Sequence, residues 1–133
     1  KLSSIEKKIP EIWHAYIGAE MLKDLFNIND EQIVNAIRYH STASETLGEL
    51  GKIIYIADKI EPNRNFPEAE KIRNLVWYNI DSAMLEILNR ELTYLLSKNR
   101  VIHPDTLKTR NKLLIKTRDC YGQKRFAQKK KNS

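Results

Sequence analysis

The chain has 133 residues, a net charge of +6, 41% hydrophobic residues, four glycines, four prolines and one cysteine. That length suits one small domain and excludes two of ordinary size. No apolar run approaches the ~18 residues needed to cross a bilayer, no signal-peptide pattern opens the chain, and the lone Cys120 excludes an internal disulfide and fits a reducing compartment, so a soluble, cytoplasmic protein with no membrane partner is expected.

In chain order, a short polar stretch precedes Pro10, and Trp13 to Phe26 then reads as a helix with Ile17, Met21 and Leu25 at helical spacing. Asn27 to Asn29 form a connection. Asn29 or Asp30 can cap a second helix that runs to about Thr42 with a stripe of Ile33, Ala36, Ile37 and His40. Ser41 to Gly48 is a polar loop, Leu50 to Ile60 is a third helix, and Pro62 stops it. Pro67 restarts a helix near Glu68, since proline is tolerated in a first turn. A long helix is expected from about Asp81, as cap, to Lys98, and Pro104 opens the last one. No strand pattern, repeat or glycine-rich phosphate loop interrupts this, so the fold class is all-α with short connections. From Lys108 onward the chain carries +9 and the remainder −3. Residues 119–133 read as a basic, disordered tail behind a domain of residues 1–118.

Three polar residues stand on apolar helix faces: His14 with Gly18, Met21, Leu22 and Leu25, His40 with Ile33, Ala36 and Ile37, and Asp58 at the end of Ile53-Ile54-Tyr55-Ile56-Ala57. A buried carboxylate is costly unless paired or metal-bound, and His and Asp are metal-ligand types. Taken singly, each fits a satisfied core residue as well as a ligand. His14 lies about as far before the connection as His40 lies after it, so at ~1.5 Å per residue the two meet at one level of an antiparallel pair. Asp58 does not follow so simply, because its helix must cross rather than run alongside. Periodicity leaves the metal-site and core-packing readings both open. Arg64 follows just past the Asp58 helix, where its guanidinium could meet a phosphate or lie in a surface loop.

Four segments carry a resemblance: Trp13-His14-Ala15-Tyr16-Ile17-Gly18-Ala19, Ala36-Ile37-Arg38-Tyr39-His40, Lys52 through Asp58 and on to Pro67, and Ile102-His103-Pro104-Asp105-Thr106-Leu107. In order and spacing, from about Ile12 to about Ile115, they resemble the C-terminal part of the YqeK-like HD-domain family, the symmetrical diadenosine tetraphosphate hydrolases. The resemblance implies an HD-domain-like helical bundle lacking its N-terminal helices, and metal-dependent hydrolysis of a dinucleoside polyphosphate to two ADP. It further implies a divalent metal pair, iron by the usual assignment. By position, His14 and His40 resemble ligands of the second metal, Asp58 resembles the aspartate that closes the first metal's shell and serves catalysis, and Arg64 resembles a phosphate-facing arginine. Arg38 and Lys52 are further candidates for substrate binding.

The family's remaining ligands, an early histidine and the His-Asp pair, lie upstream of the motif matching His14, and the 13 residues before His14 hold no His or Asp. The resemblance therefore implies a fragment or C-terminal part of a longer enzyme, in some relatives one fused to a nicotinate-nucleotide adenylyltransferase, and a homodimer is a separate expectation. The loop Ser41-Thr42-Ala43-Ser44 also replaces a Thr-Thr-Gly-Arg-like sequence, losing a glycine and an arginine. The alternative is a degenerate, non-catalytic nucleotide- or RNA-binding module that uses its basic end.

Overall fold

In a computed structural model, the chain is described over the backbone of residues 1–132 and over the side chains of those residues except 119–127. Two short 3-10 turns, Glu6–Lys8 and Pro10–Ile12, lead into α1 (Trp13–Asp24), α2 (Glu31–Arg38), α3 (Glu49–Ile60), α4 (Ala69–Val76), α5 (Ile80–Ser97) and α6 (Pro104–Lys131). No strand occurs among the described residues, as the all-α pattern predicts. No helix among them is long and apolar enough to cross a membrane.

The main core forms around α5, whose Ala83, Met84, Ile87 and Leu88 recur at helical spacing and are buried. They pack against Tyr55 and Ile56 of α3, Ile72 of α4, Leu113 of α6, and Ala43 and Leu47 of the loop before α3. A smaller cluster of Ile9, Ile12, Ala15 and Tyr16, covered by Leu2 and Ile5, attaches the 3-10 turns to the base of α1. The stretch before Pro10 is therefore ordered by its isoleucines, which have no periodic pattern to announce them.

Helix ends follow local chemistry. Asp30 caps α2 by accepting the Ile33 N–H at 3.1 Å. Asn79, not Asp81, caps α5, accepting the Ser82 N–H at 3.0 Å. Asp81 is instead engaged by Lys52 at 2.7 Å and Lys116 at 2.5 Å, and a residue committed to two ammonium groups within the first turn has no need to cap. Asn27 takes a left-handed φ of 53° where the chain leaves α1, a conformation asparagine tolerates better than most residues. The second helix stops at Arg38, short of the expected Thr42, and residues 39–42 form turns.

Ala43 is fully buried and has φ 63°. This left-handed value belongs to glycine, and a Cβ there costs about 1–2 kcal/mol. The loop is held nonetheless: the Thr106 hydroxyl of α6 donates to the Thr42 carbonyl at 2.8 Å, and Lys112 donates to the Glu45 carbonyl at 2.8 Å. α6 itself runs as helix through residues 119–131, the stretch that sequence alone assigns to a disordered tail, while the side chains of residues 119–127 in that expectation lie outside the described residues.

Ala43→Gly and Ala83→Gly each delete one fully buried methyl. In α5 the glycine also adds a helix penalty of about 1 kcal/mol, whereas at position 43 it relieves strain. Urea denaturation should find Ala43→Gly more stable than Ala83→Gly by about 2 kcal/mol. Equal losses would show that the left-handed loop stores no strain.

Candidate functional site

α1 and α2 pack as an antiparallel pair. Gly18 presents no side chain at the contact, and a Cβ there would lie 3.4 Å from Ile37 Cγ2. One turn further along, His14 meets His40, with their Nε2 atoms 3.0 Å apart and the rings edge to face. The His40 Nδ1–H donates to the Ile37 carbonyl at 2.6 Å. A neutral ring that donates through Nδ1 leaves its Nε2 lone pair free, the arrangement that orients a metal-binding histidine. The Ser41 hydroxyl lies 3.4 Å from His14 Nε2.

The donor set fits two positions on one cation. At metal–nitrogen distances of about 2.1 Å, nitrogens 3.0 Å apart subtend an angle of about 90°, as neighbouring ligands on an octahedral ion do. Without a cation the same separation suits an N–H···N hydrogen bond from His14 to His40. No group of three or more His, Cys, Asp or Glu residues close enough to hold a metal ion occurs among the described residues.

His14 lines a cleft of about 620 Å³ together with Ser41, Asp58, Lys59, Arg64, Glu91 and His103. Asp58 and Arg64 thus share a cleft with His14. Asp58 is 39% exposed, so the expectation of a buried carboxylate needing a partner does not hold, and its nearest cation is Lys59 at 3.8 Å. Arg64 is half exposed on a loop. Arg73 of α4 clamps that loop, donating to the carbonyls of Ile60, Glu61 and Arg64 at 2.9, 3.0 and 2.9 Å.

Arg38 and Lys52 lie elsewhere. Arg38 pairs with Glu20 and lines a separate hollow beside Tyr16 and Met21. Lys52 is occupied by Asp81, whose carboxyl burial would raise but which Lys116 and Lys52 hold below the usual range.

Sequence patterns did not reveal the group behind the cleft. The buried Tyr55 hydroxyl donates to Glu91 at 2.6 Å, and Lys59 sits 3.6 Å from the same carboxylate and 5.3 Å from the centre of the Tyr55 ring. Burial, and then the neighbouring Glu91 charge, push the Tyr55 phenol well above its ordinary range, so it remains a donor. Glu91 lies on α5, 36 residues from Tyr55, and the one sequence signal for it is its spacing one turn past the buried Ile87.

Comparison with known proteins adds an independent line. Residues 2–63 match the family model described as HD domain. The chain is 43% identical over 105 residues to the "Bis(5'-nucleosyl)-tetraphosphatase, symmetrical" of Halalkalibacterium halodurans, covering 79% of this chain and 56% of that protein. It is 43% identical over 54 residues to the "Probable nicotinate-nucleotide adenylyltransferase/Ap4A hydrolase" of Mycoplasma genitalium, covering 41% of this chain and 15% of the relative. A crystal structure described as a predicted HD superfamily hydrolase involved in NAD metabolism, from Clostridium acetobutylicum, superposes with a TM-score of 0.82 at 29% identity, over 87% of this chain and 61% of that one. The chain spans about half the length of the first curated relative.

One wall of the cleft carries its own acid-sensitive contact. His103, buried at the start of α6, approaches Glu6 with Nε2 3.2 Å from Oε1, and its Nδ1 accepts the Asp105 N–H at 3.1 Å, so Nε2 bears the proton. Burial would raise the Glu6 pKa. The Ser3 N–H at 2.6 Å, the His103 ring and the Ser3 hydroxyl outweigh it and bring the carboxyl from 4.5 to about 2. A depressed carboxyl stabilises the fold fully above its unfolded pKa, and that contribution disappears as pH falls through the folded value. Between pH 4.5 and about 2, Glu6→Gln should lose less stability than the parent chain, as read by thermal melts across that window. Parallel pH profiles would contradict the Glu6 assignment.

Proposed function

This chain resembles the YqeK-like HD-domain hydrolases over most of its length, and from that premise we propose that it forms part of a metal-dependent phosphohydrolase that cleaves diadenosine tetraphosphate to two ADP. The observation that carries the reading is the pair of imidazole nitrogens 3.0 Å apart, one of them on His14, which lines a cleft together with Asp58 and Arg64. His14 and His40 would hold a divalent cation, which the resemblance makes one of an iron pair, and Asp58 would contribute to the neighbouring metal. Bound there, such ions lower the pKa of a coordinated water and offset charge on phosphoryl oxygens. This chain's own residues do the rest. The Ile37 carbonyl keeps the His40 Nε2 lone pair turned outward, and Arg64 faces the polyphosphate with a guanidinium that can form two bonds at once.

The exposed face of α1 supports the further reading that the working enzyme is longer. Ile17, Met21 and Leu25 are exposed at helical spacing, in line with His14, and Ile33 of α2 is exposed as well. Exposed apolar side chains of this kind mark a contact site, those of α1 following His14 along one helix face. We assign them to helices of the longer enzyme, which would bring the missing ligands to the same end.

The test joins this chain behind the N-terminal portion of the Halalkalibacterium relative and follows ADP release with iron or manganese. The joined protein should release two ADP per substrate, and the chain alone should be much slower. His14→Ala or His40→Ala in the joined protein should lower both metal content and kcat by more than the ~10–100-fold that losing an outer-shell partner costs. Arg64→Ala should raise KM with metal content unchanged. Full turnover by either histidine variant would overturn the reading.

A further inference from the structure

A second hollow of about 660 Å³ lies between the α3–α4 loop and α5, and it shares Lys59, Arg64 and Glu91 with the histidine cleft. The two hollows are therefore neighbouring lobes that meet at a neck formed by these side chains, two cations and the Glu91 carboxylate. The chemistry changes across the neck. Along α5, Glu86, Arg90, Tyr94 and Ser97 line the second lobe at helical spacing, and Ile72 and Ile87 form its floor. The Arg90 guanidinium lies 4.1 Å over the Phe66 ring, while Tyr94 is 54% exposed one turn further along.

Charge in this lobe is already balanced. Arg90 pairs with Glu68 at 2.5 Å, Lys59 with Glu91 at 3.6 Å, and Glu86 with Lys71 at 3.9 Å. A site built for phosphate would leave cations in excess. This lobe instead offers flat faces, a guanidinium plane and an apolar floor. Asn89 adds polar capacity, because its carboxamide oxygen is used by Arg110 Nε at 2.9 Å and its amide hydrogens are left to donate. Pockets of this size lined by aromatic side chains with a few polar groups suit small organic ligands, and aromatic and arginine planes together suit nucleobases.

We propose that the second lobe is a nucleobase subsite: the neutral base of a nucleotide stacks on Tyr94 and the Arg90–Phe66 pair, while its phosphates cross the neck at Arg64 toward His14. The proposal deepens the hydrolase reading and rests on it for the direction in which the phosphates run.

The test compares ADP with inorganic pyrophosphate, titrated into the full chain without metal by calorimetry. ADP should bind more tightly than pyrophosphate. Tyr94→Ala should weaken ADP about tenfold, within the range that base–aromatic stacking contributes, and leave pyrophosphate unchanged. Tyr94→Phe should restore ADP binding, and circular dichroism should show both variants folded, since Tyr94 is exposed. No preference for ADP, or equal effects of Tyr94→Ala on both ligands or on neither, would overturn the proposal. Failure of the hydrolase reading shows differently: ADP selectivity that depends on Tyr94 would persist while the joined protein released no ADP from diadenosine tetraphosphate. Hydrolysis that survives with ADP binding indifferent to Tyr94 would sink the subsite alone.

Discussion

Two imidazole nitrogens held 3.0 Å apart between α1 and α2 are the constraint on which the rest of the site depends. Unpaired ring nitrogens gain nothing from such closeness unless a proton or a cation lies between them, and several elements act to keep them there. The Asn27 turn reverses the chain with a left-handed residue, and Asp30 starts α2 with a side-chain cap. Gly18 opens room for Ile37 one turn from the contact. The Ile37 carbonyl fixes the His40 tautomer, and α2 ends two residues before His40, so the histidine stands in a turn rather than on a regular helix face. The buried loop behind it is held by α6 through Thr106 and Lys112 at the expense of left-handed strain at Ala43.

The remainder of the groove is a product of the core. α5 lies against α3, α4 and α6, and its outer edge supplies Glu91, Arg90 and Tyr94. The Tyr55–Glu91 hydrogen bond ties α3 to α5 directly under the neck, so Lys59 is set between two carboxylates rather than free in solvent. Arg73 does the same for the loop bearing Arg64, satisfying three carbonyls that the end of α3 would otherwise leave to water. One wall thus carries paired charges and aromatic planes, and the other carries imidazoles. A charged polyphosphate with a neutral base at its end matches that division.

Much of this was legible in the sequence because the relevant forces are local. Apolar spacing located the six helices, and counting residues from the connection placed His14 opposite His40. The misses have tertiary causes. Asn79 and Asp81 are both good caps, and the lysines that claim Asp81 come from positions 52 and 116. Arg38 and Lys52 look like free cations until Glu20 and Asp81, 18 and 29 residues away, are brought beside them. Asp58 sits on an apolar run, yet its own side chain reaches solvent at the helix end. The stretch before Pro10 folds on scattered isoleucines that match no period. The second lobe joins a loop to a helix some 25 residues later, and no motif spans that distance.

The most direct test of the histidine pair is histidine-selective nitrogen NMR of this chain during titration with zinc, which needs no activity. The account predicts that, before metal is added, His40 shows a protonated Nδ1 and a bare Nε2. On addition, the Nε2 signals of His14 and His40 should shift together at the same zinc concentration while the His40 Nδ1 proton stays in place. Separate titration of the two rings, or zinc-induced shifts at His103 with neither His14 nor His40 responding, would contradict a shared cation at this contact.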